Sequence, residues 1–205
     1  MRILSRNAVK TVAITLVVGV LFAGVVSAQG GMPKSPQGSA ATQIGDAWIE
    51  IEYSRPILRG RADIFGSGES YGKTLYLGAP VWRAGANVTT RIKTELDLMI
   101  GETKLPAGEY SFFIDLKEGA WTAIFSKQDY LTAPDREKIQ AGGVTWGAYG
   151  YSSDFDVLRA PMLVTPNEIA IDQLTYFFSD VSSAGGALAL GWANTVGVLP
   201  FTVAQ

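Results

Sequence analysis

The chain of 205 residues carries 17 Lys+Arg against 19 Asp+Glu, with 47% apolar and 11% aromatic side chains, no His and no Cys. That length suits one domain or at most two small ones, and a charged fraction of only 18% excludes both a disordered tail and a basic nucleic-acid binder. The missing residue types exclude disulfides, thiol nucleophiles, iron–sulfur clusters, Ser-His-Asp triads and His-ligated zinc.

Residues 1–28 read as a secretory signal peptide. Arg2, Arg6 and Lys10 precede the uncharged run Thr11–Val26, and Val26-Ser27-Ala28 then offers small side chains for cleavage after Ala28. The alternative is an uncleaved anchor, but the apolar run is shorter than a spanning helix needs and is weakened by Gly19 and Gly24. The expected location is therefore periplasmic or secreted, with no stable membrane insertion after cleavage. Cleavage removes three bases and no acid, so the mature chain is more acidic than the whole, whose formal net charge is −2. Such a chain avoids anionic membranes and nucleic acid.

Residues 29–38 are rich in Gly, Pro and Ser and read as a flexible linker; residues 39–205 form the domain. Ser39–Ile44 turns at Gly45-Asp46 into Trp48–Tyr53, where Ile49, Ile51 and Tyr53 share one face and Trp48, Glu50 and Glu52 the other. Ser67–Thr74 ends like a phosphate-binding loop, but its first position is Ser, and Thr74–Leu77 reads as strand-like rather than helical. Ser70-Tyr-Gly-Lys73 matches the letters of a Ser–Lys dyad in the same Gly-rich loop. Thr90–Thr94, Leu96–Ile100, Tyr110–Asp115 and Trp121–Phe125 alternate again. They are joined by turns at Gly101-Glu102, Leu105-Pro-Ala-Gly108 and Lys117-Glu-Gly119. Trp121, Phe125 and Phe177 read as core positions.

Pro134–Gln140 is the one helical candidate, with Thr132 and Asp135 spaced as a capping box. Val157–Val164, Gln173–Ser179, Ala187–Trp192 and Val196–Val203 complete the strands. Many short strands without crossover helices predict an all-β, antiparallel two-sheet β-sandwich, jelly-roll-like in one arrangement, with a closed barrel as the alternative.

Several motifs stand in a fixed order: Ile51-Glu-Tyr-Ser-Arg55-Pro56, Gly60-Arg61, Ile64-Phe-Gly66, Val81-Trp82-Arg83-Ala-Gly-Ala-Asn87, Leu105-Pro-Ala-Gly-Glu-Tyr-Ser111, Trp146-Gly-Ala-Tyr149-Gly-Tyr151 and Val157-Leu-Arg159. In this order the chain resembles the bacterial exported domain-of-unknown-function family numbered 2911, over about residues 35–165. The resemblance implies a β-sandwich domain outside the cytoplasm and no established activity. It makes the Asn87-Val-Thr89 glycosylation pattern a coincidence. Thr74–Pro80 and Gln128–Thr145 are longer here than in the family pattern, so both extensions reshape whatever rim these loops form.

The candidate ligand residues are Arg55, Arg61, Trp82, Arg83, Asn87, Trp146, Tyr149 and Arg159. Flat aromatic faces hold a sugar ring or aliphatic group, and guanidinium forks bind carboxylate, sulfate or phosphate at two points. The competing reading has Arg55 and Arg83 pairing with Glu50, Glu52 or Asp156, stacking on an aromatic and pinning loops. Asp154 and Asp156 have too few oxygen donors around them for calcium. No metal, cofactor or catalytic residue is assigned.

The expected function is a binding or structural module for a small polar or glycan-like ligand in the cell envelope, monomeric or weakly oligomeric. One alternative is a His-independent glycoside hydrolase using two carboxylates from Asp46, Glu50, Glu52, Asp63, Asp154 and Asp156. The other is a purely structural envelope-assembly protein.

Overall fold

A computed structural model describes residues 34–61 and 63–205. The expected signal peptide, its cleavage site and the first half of the expected linker lie outside the described residues.

The chain forms two antiparallel sheets that are not closed into a barrel, as a sandwich requires. β1 (Gln37–Ile44) begins two residues inside the stretch whose composition suggests a linker. It pairs along its whole length with β2 (Ala47–Ser54) across a turn where Gly45 takes φ 61°. β3 (Thr90–Thr94), β6 (Gly108–Asp115), β7 (Thr122–Ser126) and β10 (Asp156–Pro161) extend this sheet to six strands. The second sheet takes β4 (Leu98–Ile100) and β5 (Thr103–Leu105) beside the long hairpin of β11 (Leu163–Ser182) and β12 (Gly185–Val203). Between these elements lie one helical turn, α1 (Lys73–Tyr76), and a short helix, α2 (Arg136–Ala141), flanked by the small parallel pair β8 (Asp129–Tyr130) and β9 (Val144–Thr145).

Alternation decides which side chains enter the core. Ile49, Ile51 and Tyr53 of β2, Ile92 of β3, and Tyr110, Phe112 and Ile114 of β6 point inward, toward Leu174 and Tyr176 of β11 and Leu188, Leu190 and Trp192 of β12. Tyr176 ties the layers together. Its ring sits edge-on to Tyr53 at 4.7 Å, its backbone N–H donates to the Tyr53 hydroxyl, and its own hydroxyl donates to the Ala84 carbonyl. A second small cluster lies on the opposite face of β6 and β7, where Phe113 and Ile124 meet Val81, Ala148 and Tyr151. This outer cluster anchors the loops that build the site.

Four expectations need correction. The three strands foreseen between residues 173 and 203 are parts of two long ones. Register shifts at Pro166/Ile171, Ile171/Thr175 and Ser179/Ser182 bend the hairpin and interrupt its alternation, so each straight piece looks like a separate strand. Thr74–Leu77 is not extended: Lys73–Tyr76 closes a single helical turn, and Leu77 stops it at φ 53°. Asp135 alone caps α2, accepting from the Lys138 N–H at 3.1 Å. Phe177 is 40% exposed, because Leu174, Tyr176 and Phe178 take the inward positions of β11 and Phe177 lies over Ala189 and Gly191 on the outer face.

The β4–β5 hairpin carries a pH-sensitive clamp. Asp97 pairs with Lys104 at 2.6 Å and accepts from the Ala107 N–H at 2.8 Å; the Lys104 bond first, then Ala107, hold its carboxyl below the usual range. A depressed carboxyl stabilises the fold above its unfolded pKa of about 3.9, and that contribution fades as the pH falls through the folded value. Asp97→Asn is therefore expected to lower the melting temperature at pH 7, with the gap from the parent closing below about pH 4. Melting curves of both proteins across pH 2–7 check this.

Candidate functional site

The site grows from two short loops. In the first, Trp82 bonds backbone to backbone with Ile114 of β6 at 2.9 Å in both directions. Ala84 then adopts φ 53°, a left-handed conformation costly for a residue with a Cβ. It is held there by the hydroxyls of Tyr176 and Thr90, both donating to its carbonyl. Asn87, at φ 57°, turns the chain again and presents its carbonyl to the Arg83 guanidinium at 3.0 Å.

The second loop is Trp146-Gly-Ala-Tyr149. Trp146 and Tyr149 bond to each other through both backbone pairs, at 3.2 and 3.1 Å, so this four-residue turn brings their rings together. The rings are parallel to within 8°, with centroids 6.2 Å apart. The Arg83 guanidinium carbon lies 5.7 Å from the Trp146 centroid and 5.3 Å from that of Tyr149, within cation–π range of both. The Tyr149 hydroxyl donates to the Leu77 carbonyl, tying this turn to the chain that follows α1.

Arg83 itself is only 5% exposed, and burial lowers its pKa from the ordinary arginine value. No acid lies within salt-bridge distance of it among the described residues, and its buried Nη2 has no hydrogen-bond partner there. Burying a cation without a counter-charge is expensive, and the ring faces and one carbonyl offset only part of that cost. Arg83 borders a cavity of about 360 Å³, within the range of small-molecule sites. Its walls include Arg61, Leu77, Trp146 and Tyr149, with Trp82 and Trp192 beneath, and no acidic side chain lines it among the described residues.

Six of the eight candidate residues thus meet at one cavity: Arg61, Trp82, Arg83, Asn87, Trp146 and Tyr149. Their parts differ. Arg61 spends its Nε and Nη2 on the carbonyls of Leu58 and Ile57. Trp82, read from the sequence as a surface stacking group, is 1% exposed and stacks on Trp192 at 6.2 Å, so it is the floor of the cavity and part of the core.

Arg55 and Arg159 lie elsewhere. Arg55 runs its side chain across Gly38 of β1, where a Cβ would clash with it. Arg159 pairs with Asp156 at 2.9 Å and Asp115 at 3.4 Å and donates to the Tyr151 hydroxyl. That network also takes one oxygen of Asp156, which accepts from Tyr151 at 2.6 Å. The pairing foreseen for Arg55 or Arg83 with Asp156 belongs to Arg159. Burial first, then the Asp156 bond, push the Tyr151 phenol well above its ordinary value.

A family model matches residues 35–201. The chain belongs to the DUF2911 family. That family is described as protein of unknown function, and no curated protein and no solved structure matches the chain. The cavity of this DUF2911 domain is lined by four of the motifs that carry the resemblance, at Pro56, Arg61, Trp82–Asn87 and Trp146–Tyr149.

The cavity of the DUF2911 domain also uses residues that sequence reasoning passed over. Trp192 lines it from β12, and Leu77 supplies an exposed apolar wall from the chain after α1. Gly147 is required by contact: it has φ 63°, and a Cβ there would sit 2.4 Å from Arg83 Nη1. The phosphate-loop look-alike is held otherwise, since the Gly68 N–H already donates to the Glu118 carboxylate at 2.9 Å. Glu50 and Glu52 do share the outer face of β2, where their cross-strand neighbours are Lys93 and Arg91; neither lines the Arg83 cavity.

Proposed function

We propose that this DUF2911 domain is an exported binding module whose Arg83 cavity holds a small ligand carrying a carboxylate, sulfate or phosphate on a flat, partly apolar body, such as an acidic sugar. The observation that carries this reading is the buried Arg83 guanidinium: among the described residues no acid lies beside it and its Nη2 has no partner, and Arg83 itself lines the cavity. An anion supplies the missing counter-charge and a two-point bond of the kind guanidinium groups favour. The parallel Trp146 and Tyr149 rings and the Leu77 side chain offer apolar contact to the body that bears it. Among the described residues no carboxylate lines the cavity for acid–base work, so binding is favoured over turnover there.

Calorimetric titration of the purified protein with glucuronate, glucose 6-sulfate, benzoate and glucose tests this. At least one of the three anions is expected to bind, and glucose is not expected to bind at this cavity. Arg83→Gln is expected to lower affinity for that anion about 30-fold or more. Arg83→Lys should restore little, because an ammonium offers a point charge instead of a fork. The exposed Arg61→Gln provides a milder variant with an intact core. A ligand at 100 times its dissociation constant stabilises the fold by about 2.7 kcal/mol, several degrees in melting temperature. Anion binding that survives Arg83→Gln unchanged, or no binding by any of the three, contradicts the reading.

A further inference from the structure

Outside the Arg83 cavity, one feature of the six-stranded sheet is not explained by packing. Its outer face over β2, β3 and β6 is a ladder of charge: Glu50 opposes Lys93, which opposes Glu109, while Glu52 opposes Arg91, which opposes Ser111. A ladder of this kind is the ordinary wet face of a sheet. An aromatic ring hung over it is not. Tyr130 of β8 stands above Arg91, with the guanidinium carbon 4.6 Å from the ring centroid, and remains 38% exposed.

Both members of this pair are held firmly. The Arg91 side chain is 19% exposed, with Nη1 donating to Ser111 Oγ at 2.8 Å; Ser111 in turn donates to the Gln128 carbonyl. Tyr130 is fixed by the parallel pairing of β8 with β9 and by the Leu131 N–H donating to the Thr145 carbonyl at 2.7 Å. The Tyr130–Arg91 pair lines two cavities, of about 370 and 210 Å³, neither of which shares a lining residue with the Arg83 cavity among the described residues.

We infer that this groove is a second binding site and that it takes a neutral oligosaccharide. One face of the Tyr130 ring is covered by Arg91, which leaves the remainder as a rigid apolar platform for the C–H face of a pyranose ring. Around it the ladder alternates acceptors, Glu50, Glu52 and Glu109, with donors, Arg91 and Lys93, the mixture that vicinal hydroxyls satisfy from both sides. Three acids against two bases turn away a polyanion, the opposite of the Arg83 cavity, so acidic sugars and nucleic acid do not suit it. The two cavities flanking the pair accommodate consecutive rings of a chain.

The test is titration of the full chain with neutral hexaoses of the cello, malto, xylo and N-acetylchito series, with a lysine-rich peptide in parallel. At least one hexaose is expected to bind. Tyr130→Ala is expected to lower its affinity at least about tenfold, and Tyr130→Phe should restore it. Glu52→Gln is expected to lower it several-fold. Glu102→Gln, in the turn between β4 and β5 on the other sheet, should change nothing. Because Tyr130 is exposed, melting temperatures of these variants should stay within a few degrees of the parent. Failure of all four hexaoses to bind, binding that ignores Tyr130→Ala, or binding of the cationic peptide alone overturns the inference. Each of these outcomes leaves the Arg83 reading to its own titration, since the two sites share no residue.

Discussion

Trp82→Ala is expected to destabilise the protein by about 3–5 kcal/mol, the range for removing a fully buried large aromatic side chain. Trp82 is the joint between the sheets and the site. Its ring stacks on Trp192 of β12 and meets Phe65 and Trp121 edge-on at 6.2 and 6.4 Å, while its backbone is stitched to β6. Truncation leaves a void between layers that cannot close without moving β6 or β12. Urea unfolding at neutral pH measures the loss directly, and the melting temperature should fall by roughly 10 °C for a domain of this size. Trp82→Phe keeps part of the contact and should cost less. A loss below about 1 kcal/mol for Trp82→Ala shows that the indole is not the floor described here.

Gly147→Ala is expected to be almost as damaging, at about 2–4 kcal/mol, and to weaken anion binding as well. Two costs combine. The residue sits at φ 63°, where a Cβ is strained, and that Cβ would lie 2.4 Å from Arg83 Nη1 and 2.8 Å from the Asn87 carbonyl oxygen. Relief requires Arg83 to leave its place beside the Trp146 and Tyr149 rings. Gly119→Ala separates the two costs, because Gly119 has φ 69° but open space around it. It should lose only about 1–2 kcal/mol and keep its ligand affinity. Equal losses for the two variants in parallel unfolding and binding measurements contradict the close approach of Gly147 to Arg83.

The legible parts of the sequence are those where one physical rule acts alone. β2 and β3 are buried mainly on one side, so their period-two pattern reads through without interruption. The β11–β12 hairpin breaks that pattern with its register shifts, and α1 is too short for helical periodicity to show. In the site, arginines and aromatics clustered within short motifs pointed to the loops that meet at the Arg83 cavity. What the motifs could not convey is partnership: Arg159 and Arg83 look alike in sequence, but only Arg159 meets Asp156 and Asp115 across the fold. Leu77 and Trp192 carry no chemical mark, because apolar walls are defined by what they face. Tyr130, whose partner Arg91 comes from a distant strand, is legible only in three dimensions.

The most direct test of the account is a crystal structure of the protein soaked with the tightest-binding anion from the titration panel. The account predicts its charged oxygens within hydrogen-bond distance of Arg83 Nη2, with the body of the ligand against Trp146 and Tyr149. Density for the anion elsewhere on the surface, with Arg83 Nη2 bonded to an acidic side chain of the protein, contradicts it.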